Sequence, residues 1–130
     1  MIDHLDHLVL TTTHEEACVG FYTKILGMQL ESFLGGDPPV ERRAFRFGNQ
    51  KINLHLRGRE FEPKALHPTP GALDLCFIAA VSIDEVLVRL AQFEVPIVEG
   101  PVQRTGAIGK ILSVYVRDPD QNLIEISQLL

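Results

Sequence analysis

Hydrophobic and polar positions along this chain switch between a two-residue and a four-residue rhythm, and the switch points mark out a series of elements. Residues 5–12 (LDHLVLTT) are apolar and β-branched, the pattern of a half-buried strand. Thr13 stands three residues before Glu16, the spacing of a capping box that opens a helix. Ala17, Phe21 and Ile25 then recur on one helical stripe, and Gly27 closes it. Strands are predicted over 29–33, 41–47 and 51–56, the last two joined through Gly48-Asn49 as a hairpin. The run Gly35-Gly36-Asp37-Pro38-Pro39 reads as a turn. Residues 58–71 (GREFEPKALHPTPG) are polar and proline-punctuated, as a linker is.

After that linker the same order returns. A strand is predicted over 73–79, and Ser82 and Glu85 repeat the capping-box spacing. Val86, Leu90 and Phe93 follow on one helical face. Residues 95–98 form a short strand and 100–109 a loop, before strands over 111–117 and 123–128 joined by Asp118-Pro119-Asp120-Gln121-Asn122. Strand, capped helix and three strands, twice over, is the mark of an internal duplication. The chain therefore reads as one α+β domain, 1–130, of two tandem βαβββ modules (1–57 and 72–130) around the linker.

Composition narrows the class. At 130 residues, with 45% hydrophobic and 22% charged residues, the chain has the make-up of one soluble globular domain. A net charge of −5 argues against nucleic acid as partner, since phosphate binding needs a basic face. No apolar run approaches the roughly 18 residues of a membrane span, and Met1-Ile2-Asp3-His4 lacks a signal-peptide pattern. The expectation is a cytoplasmic protein acting on a small molecule, with Cys18 and Cys76 as buried thiols.

Few residues advertise chemistry. The sequence has no Gly-rich phosphate loop, no Cys-x-x-Cys and no nucleophile elbow. What stands out is a set of ligand-type residues on predicted strands: His7, Asn53 and His55, Asp74, and Glu125 within LIEIS. Residues two apart on a strand share a face, so Asn53 and His55 point the same way. Superposing the modules lays HLVL on DLCF, pairing His7 with Asp74, and INLH on IEIS, pairing Asn53 with Glu125. Two imidazoles and two carboxylates, His7, His55, Asp74 and Glu125, would give a nitrogen and oxygen shell for one divalent ion: Zn²⁺, Ni²⁺, Co²⁺, Mn²⁺ or Fe²⁺. Arg104, in VQRTGAIG, is placed on a loop where it would meet an anionic substrate.

LDHLVLTT, FYTKILGM, FGNQKINLH and YVRDPDQNLIEIS together resemble the vicinal oxygen chelate superfamily, which includes glyoxalase I, bleomycin-resistance proteins and extradiol dioxygenases. FEPKALHPTPGALDLC and EGPVQRTGAIGKI look most like the subgroup around glyoxalase domain-containing protein 5 and its bacterial relatives. The resemblance implies that paired βαβββ modules form a cup-shaped mixed sheet, commonly in a homodimer. It also implies a metal held from the first and last strand of each module, which carries over to His7, the Asn53/His55 position, Asp74 and Glu125. Glyoxalase I differs in having glutamate at the Asn53 position and histidine at the Asp74 position. The function implied is a metal-dependent lyase or isomerase acting on a vicinal-oxygen metabolite, with Glu125 as catalytic base. The alternatives are an extradiol-type dioxygenase and a metal-free binding protein that sequesters its ligand.

Overall fold

The computed structural model describes residues 1–130 and divides them into two units, Met1–Gly71 and Ala72–Leu130. The first contains β1 (His7–Thr12), α1 (Glu15–Gly20), β2 (Gln29–Gly35), β3 (Val40–Phe47) and β4 (Gln50–Leu56). Its four strands lie in the order β1-β4-β3-β2, with β1 parallel to β4 and the other pairs antiparallel. The second contains β5 (Asp74–Ile78), α2 (Ile83–Gln92), β6 (Glu99–Thr105), β7 (Lys110–Arg117) and β8 (Leu123–Leu129). Its sheet repeats that plan as β5-β8-β7-β6, again with only the first pair parallel. Element order and pairing sense both recur, as a duplication requires. No helix is long and apolar enough to cross a membrane.

Strand alternation gives each sheet one apolar face, and that face carries the helix. In the first unit Leu10, Phe45, Ile52 and Leu54 are buried, together with Cys18, Phe21 and Tyr22 of the helical segment. Tyr22 stacks on Phe45 with ring centroids 5.1 Å apart. In the second, Val114, Val116, Ile124 and Ile126 are buried with Ile83, Val86 and Leu90 of α2, which packs on β7 and β8. Each such side chain, fully buried, contributes about 1.5–3 kcal/mol.

The two helix starts differ. At α2, Ser82 caps as its spacing predicts: its Oγ accepts the Glu85 N–H at 3.3 Å and donates to the Glu85 carboxylate at 3.4 Å. Ser82→Ala is expected to cost about 1 kcal/mol, seen as a lower midpoint in urea unfolding, whereas Ser82→Asp should hold wild-type stability. At α1 the helix runs from Glu15, and its cap residue His14 makes no side-chain cap bond. The helix also widens over Phe21–Ile25, where the Leu26 N–H reaches back five residues to Phe21. That widening moves the buried stripe to Cys18, Phe21 and Tyr22 and leaves Ala17 exposed.

Two further expectations are corrected. The stretch 100–109 is not simply a loop, because β6 runs from Glu99 to Thr105 and pairs with β7. Pro101 disguised it: β6 pairs on one side only, and the proline falls in an irregular step between Glu99 and Val102, where a ladder tolerates it. Gly100 is required there, since it has φ +102° and a Cβ would lie 2.4 Å from the Ser113 carbonyl oxygen. Arg104 is thus a strand residue. Cys18 is a buried free thiol as expected, but Cys76 is exposed, because it faces away from α2.

Candidate functional site

The faces turned away from the helices carry the polar strand residues. In the first unit β1 pairs in register with β4, so His7, Val9 and Thr11 stand opposite Lys51, Asn53 and His55 on one face. His7 is exposed, and its Nδ1 lies 2.8 Å from the Asp6 carboxylate. Asn53 has a buried Oδ1 with no hydrogen-bond partner. His55 is buried and packs edge-on against Phe61, with ring centroids 5.4 Å apart. Burial, and then the charge of Arg42, push its pKa below the ordinary histidine value, so it is neutral near pH 7.

The second unit repeats the register. Asp74, Cys76 and Ile78 stand opposite Leu123, Glu125 and Ser127, and Tyr115 of β7 stands opposite Glu125. Asp74 is exposed, whereas Glu125 is half-buried, with its Oε1 fully buried and without a partner. Tyr115 accepts a hydrogen bond from Arg104 Nε at 3.1 Å, and it stands directly beside Glu125 across the β7–β8 pair. Arg104 is held in turn by Glu99, at 3.2 Å. Burial is the main cause that raises the Tyr115 hydroxyl pKa, so its proton stays on oxygen at neutral pH. Beneath this chain Ser113 and Ser127 share a 2.7 Å bond, and the Cys76 thiol lies 3.4 Å from Ser127. A cavity of about 490 Å³ is lined by Cys76, Arg104, Tyr115 and Glu125 among others.

The equivalence read from the sequence therefore has a geometric counterpart inside each unit. Asn53 lies two residues beyond the partner of His7, and Glu125 two beyond the partner of Asp74. These two equivalent positions hold the orphaned acceptors Asn53 Oδ1 and Glu125 Oε1. A buried acceptor without a donor carries a penalty of about 1–3 kcal/mol, and a cation beside it removes that penalty. Each orphan is thus an acceptor that a cation or another donor would satisfy. His55 lies four residues beyond the partner of His7, roughly 13 Å along the strand, so register brings Asn53 nearer to His7 than His55. Within neither unit do three or more His, Cys, Asp or Glu side chains gather closely enough to hold a metal by themselves. Reading the sequence gave Tyr115 no role beyond lining or packing, and missed Phe61 and Arg42. The one available signal was that Phe61 is the sole aromatic ring of Phe, Tyr or Trp type in the polar 58–71 stretch.

Comparison with known proteins points in one direction. The model of the Glyoxalase/Bleomycin resistance protein/Dioxygenase superfamily matches residues 4–126. The chain is 52% identical over 128 residues to virulence protein STM3117 of Salmonella typhimurium, covering 98% of this chain and 85% of that protein. The crystal structure of that protein superposes with a TM-score of 0.93, covering 100% of this chain and 99% of the other at 51% identity. Glyoxalase domain-containing protein RDO1 of Mycosarcoma maydis is 54% identical over 123 residues, which are 95% of this chain but 66% of the longer fungal protein. Lactoylglutathione lyase of Agrobacterium tumefaciens, 24% identical, shares the fold with a TM-score of 0.71 over 98% of this chain and 94% of that one.

Proposed function

Starting from the fact that the chain belongs to the glyoxalase/bleomycin resistance protein/dioxygenase superfamily, we propose that it is a metal-dependent lyase or isomerase acting on a small metabolite with adjacent oxygens. The observation that carries this reading is the pair of orphaned acceptors, Asn53 Oδ1 and Glu125 Oε1, at equivalent positions of the two units. The residues proposed as metal donors are His7, with Asn53 or His55, in the first unit and Asp74 and Glu125 in the second. His55 is the better ligand of the two by chemistry, and Asn53 lies nearer to His7 by register. A divalent ion at such donors supplies Lewis acidity that polarises a substrate carbonyl.

The chain's own groups do the rest. Glu125 takes a proton from the carbon beside the carbonyl and returns it to the neighbouring carbon. Tyr115, opposite it on β7, is placed to orient that carboxylate. Arg104 keeps Tyr115 oriented, because its own Nε–H occupies the phenol oxygen. It also lines the cavity, and its Nη1 has only the Gln103 carbonyl at 3.4 Å, so an anionic group of the substrate can compete for it.

Metal analysis of the purified full-length chain, followed by assays on hemithioacetals and on catechols, tests this reading. The expected result is near-stoichiometric divalent metal, lost in a His7→Ala, Glu125→Ala double variant, with turnover of the hemithioacetal class. Ring cleavage of a catechol would instead assign a dioxygenase. A chain that takes up no metal yet binds its ligand would assign a sequestering protein.

A further inference from the structure

Strand β3 carries three arginines, and they are not alike. Arg43 faces the helix side, where its Nη1 holds Glu15 at 3.1 Å and Glu16 at 3.3 Å. Arg46 is held by Glu31 at 2.5 and 3.2 Å. Arg42 has no ion-pair partner, and its Nε is buried without an acceptor. Its guanidinium is nevertheless fixed in place. The Phe61 ring covers it, with the guanidinium carbon 4.1 Å from the ring centroid. The Gly35-Gly36 corner also closes on it: a Cβ at Gly35 would come within 2.8 Å of Nε, and one at Gly36 within 2.9 Å of Nη2. Phe61 and Arg42 line a cavity of about 370 Å³ with three glutamates, of which Glu15 and Glu16 are engaged by Arg43 and Glu41 adjoins Arg42 on β3.

A half-buried, stacked guanidinium without a counter-ion matches the planar, two-pronged geometry of a carboxylate. From this we infer that Arg42 and Phe61 form an anion subsite of the first unit, which docks a carboxylate group of the ligand. The subsite names a feature of the substrate proposed above, a carboxylate, and rests on that reading only for calling the ligand a substrate. Phe61 comes from the polar stretch after β4, so the aromatic residue in that stretch has a recognition role. Gly35 and Gly36 set the depth at which the guanidinium sits.

The test is a titration of the full-length ¹⁵N-labelled chain with sodium pyruvate, in EDTA so that no metal-bound ligand contributes, read from amide and arginine Nε–H signals. Methyl pyruvate, with the same carbonyl and no charge, is the control. Pyruvate should shift the Arg42 and Phe61 signals in a saturable way, and methyl pyruvate should not. Arg42→Met should weaken the dissociation constant about tenfold or more, and Gly35→Ala should weaken it while keeping the charge. Arg46→Met, which removes a surface cation elsewhere on β3, should leave it within twofold. Unchanged binding in Arg42→Met, or an equal loss in Arg46→Met, overturns the subsite. Amide spectra of each variant report whether it folds; if Arg42→Met does not, Gly35→Ala and Arg42→Lys carry the same comparison. Docking at Arg42 in a chain that never takes up metal would overturn the proposed reaction and keep the subsite. A metal-loaded, active chain that ignores pyruvate would do the reverse.

Discussion

Glu125→Gln is expected to lower turnover of the hemithioacetal class by at least a hundredfold while the protein stays folded. Glutamine keeps the size of the side chain, its place between Ile124 and Ile126, and an acceptor oxygen beside Tyr115. It removes the one property the proposed reaction uses, a carboxylate that can take and return a proton. A positioned general base contributes about 10²- to 10⁴-fold, which sets the size of the loss. Because Oε1 is buried and unpartnered, the amide NH₂ would itself lack an acceptor there, so a modest stability cost of about 1 kcal/mol accompanies it. Measuring kcat, metal content and thermal midpoint on the same preparation separates the contributions. Tyr115→Phe should retain metal and lose less, roughly tenfold, with a shifted pH–rate profile, since it removes only the hydroxyl placed to orient the carboxylate. A Glu125→Gln variant turning over within threefold of the parent would remove Glu125 from the proposed chemistry.

The largest expected loss of stability lies in the turn between β7 and β8. Asp118 and Asn122 are 2% and 1% exposed, far more buried than turn residues usually are. Asp118 Oδ1 accepts the N–H groups of Asp120 and Asn122, both at 2.9 Å, and its Oδ2 accepts from the Asn122 side chain at 2.8 Å. Asn122 Oδ1 then accepts the Leu73 N–H at 2.9 Å, which ties the turn to the chain entering β5. The network thus fixes the register in which β8 pairs with β5 on one side and with β7 on the other. Asp118→Ala strands three donors in a buried place. We expect a loss of about 3 kcal/mol in urea unfolding, because hydrogen bonds to a charged acceptor contribute roughly 1.5–3 kcal/mol each and partial relaxation recovers some. Asp118→Asn, which preserves two acceptor bonds, should cost about half as much. A loss below 1 kcal/mol in the alanine variant would mean that β8 finds its register without the turn.

Much of this architecture was legible because the relevant signals are local. The Ser82–Glu85 box, the Gly48-Asn49 hairpin, the Gly27 stop with φ +78° and the alternation in β7 and β8 are each decided within a few residues. What failed was also local in appearance and tertiary in cause. The stripe Ala17, Phe21, Ile25 is regular in sequence, yet the helix widens over Phe21–Ile25, where Phe21 and Tyr22 are both buried. Gly100 and Pro101 look like loop residues, and pairing with β7 makes them part of a strand. Arg104 moved with them, from a loop arginine to a side chain locked between Tyr115 and Glu99.

The candidate site divides the same way. Periodicity and duplication were enough to assign His7, Asp74, Glu125 and the Asn53/His55 pair to strand faces, because a two-residue repeat does so whatever the rest of the chain does. Choosing within that last pair was beyond the sequence, since Asn53 and His55 share a face and only the partner strand tells how far each lies from His7. Tyr115 behind Glu125, and Phe61 over Arg42, were equally out of reach: they are contacts between residues 10 and 19 positions apart that exist only once strands and loops are packed. The sequence by itself determined two βαβββ units and the faces of their strands, because hydrophobic burial acts through short-range periodicity. The tertiary structure alone decided which acceptors are left without donors and which arginine is left without a carboxylate. Hydrogen-bond and charge satisfaction depend on distances between strands that no single stretch of sequence encodes.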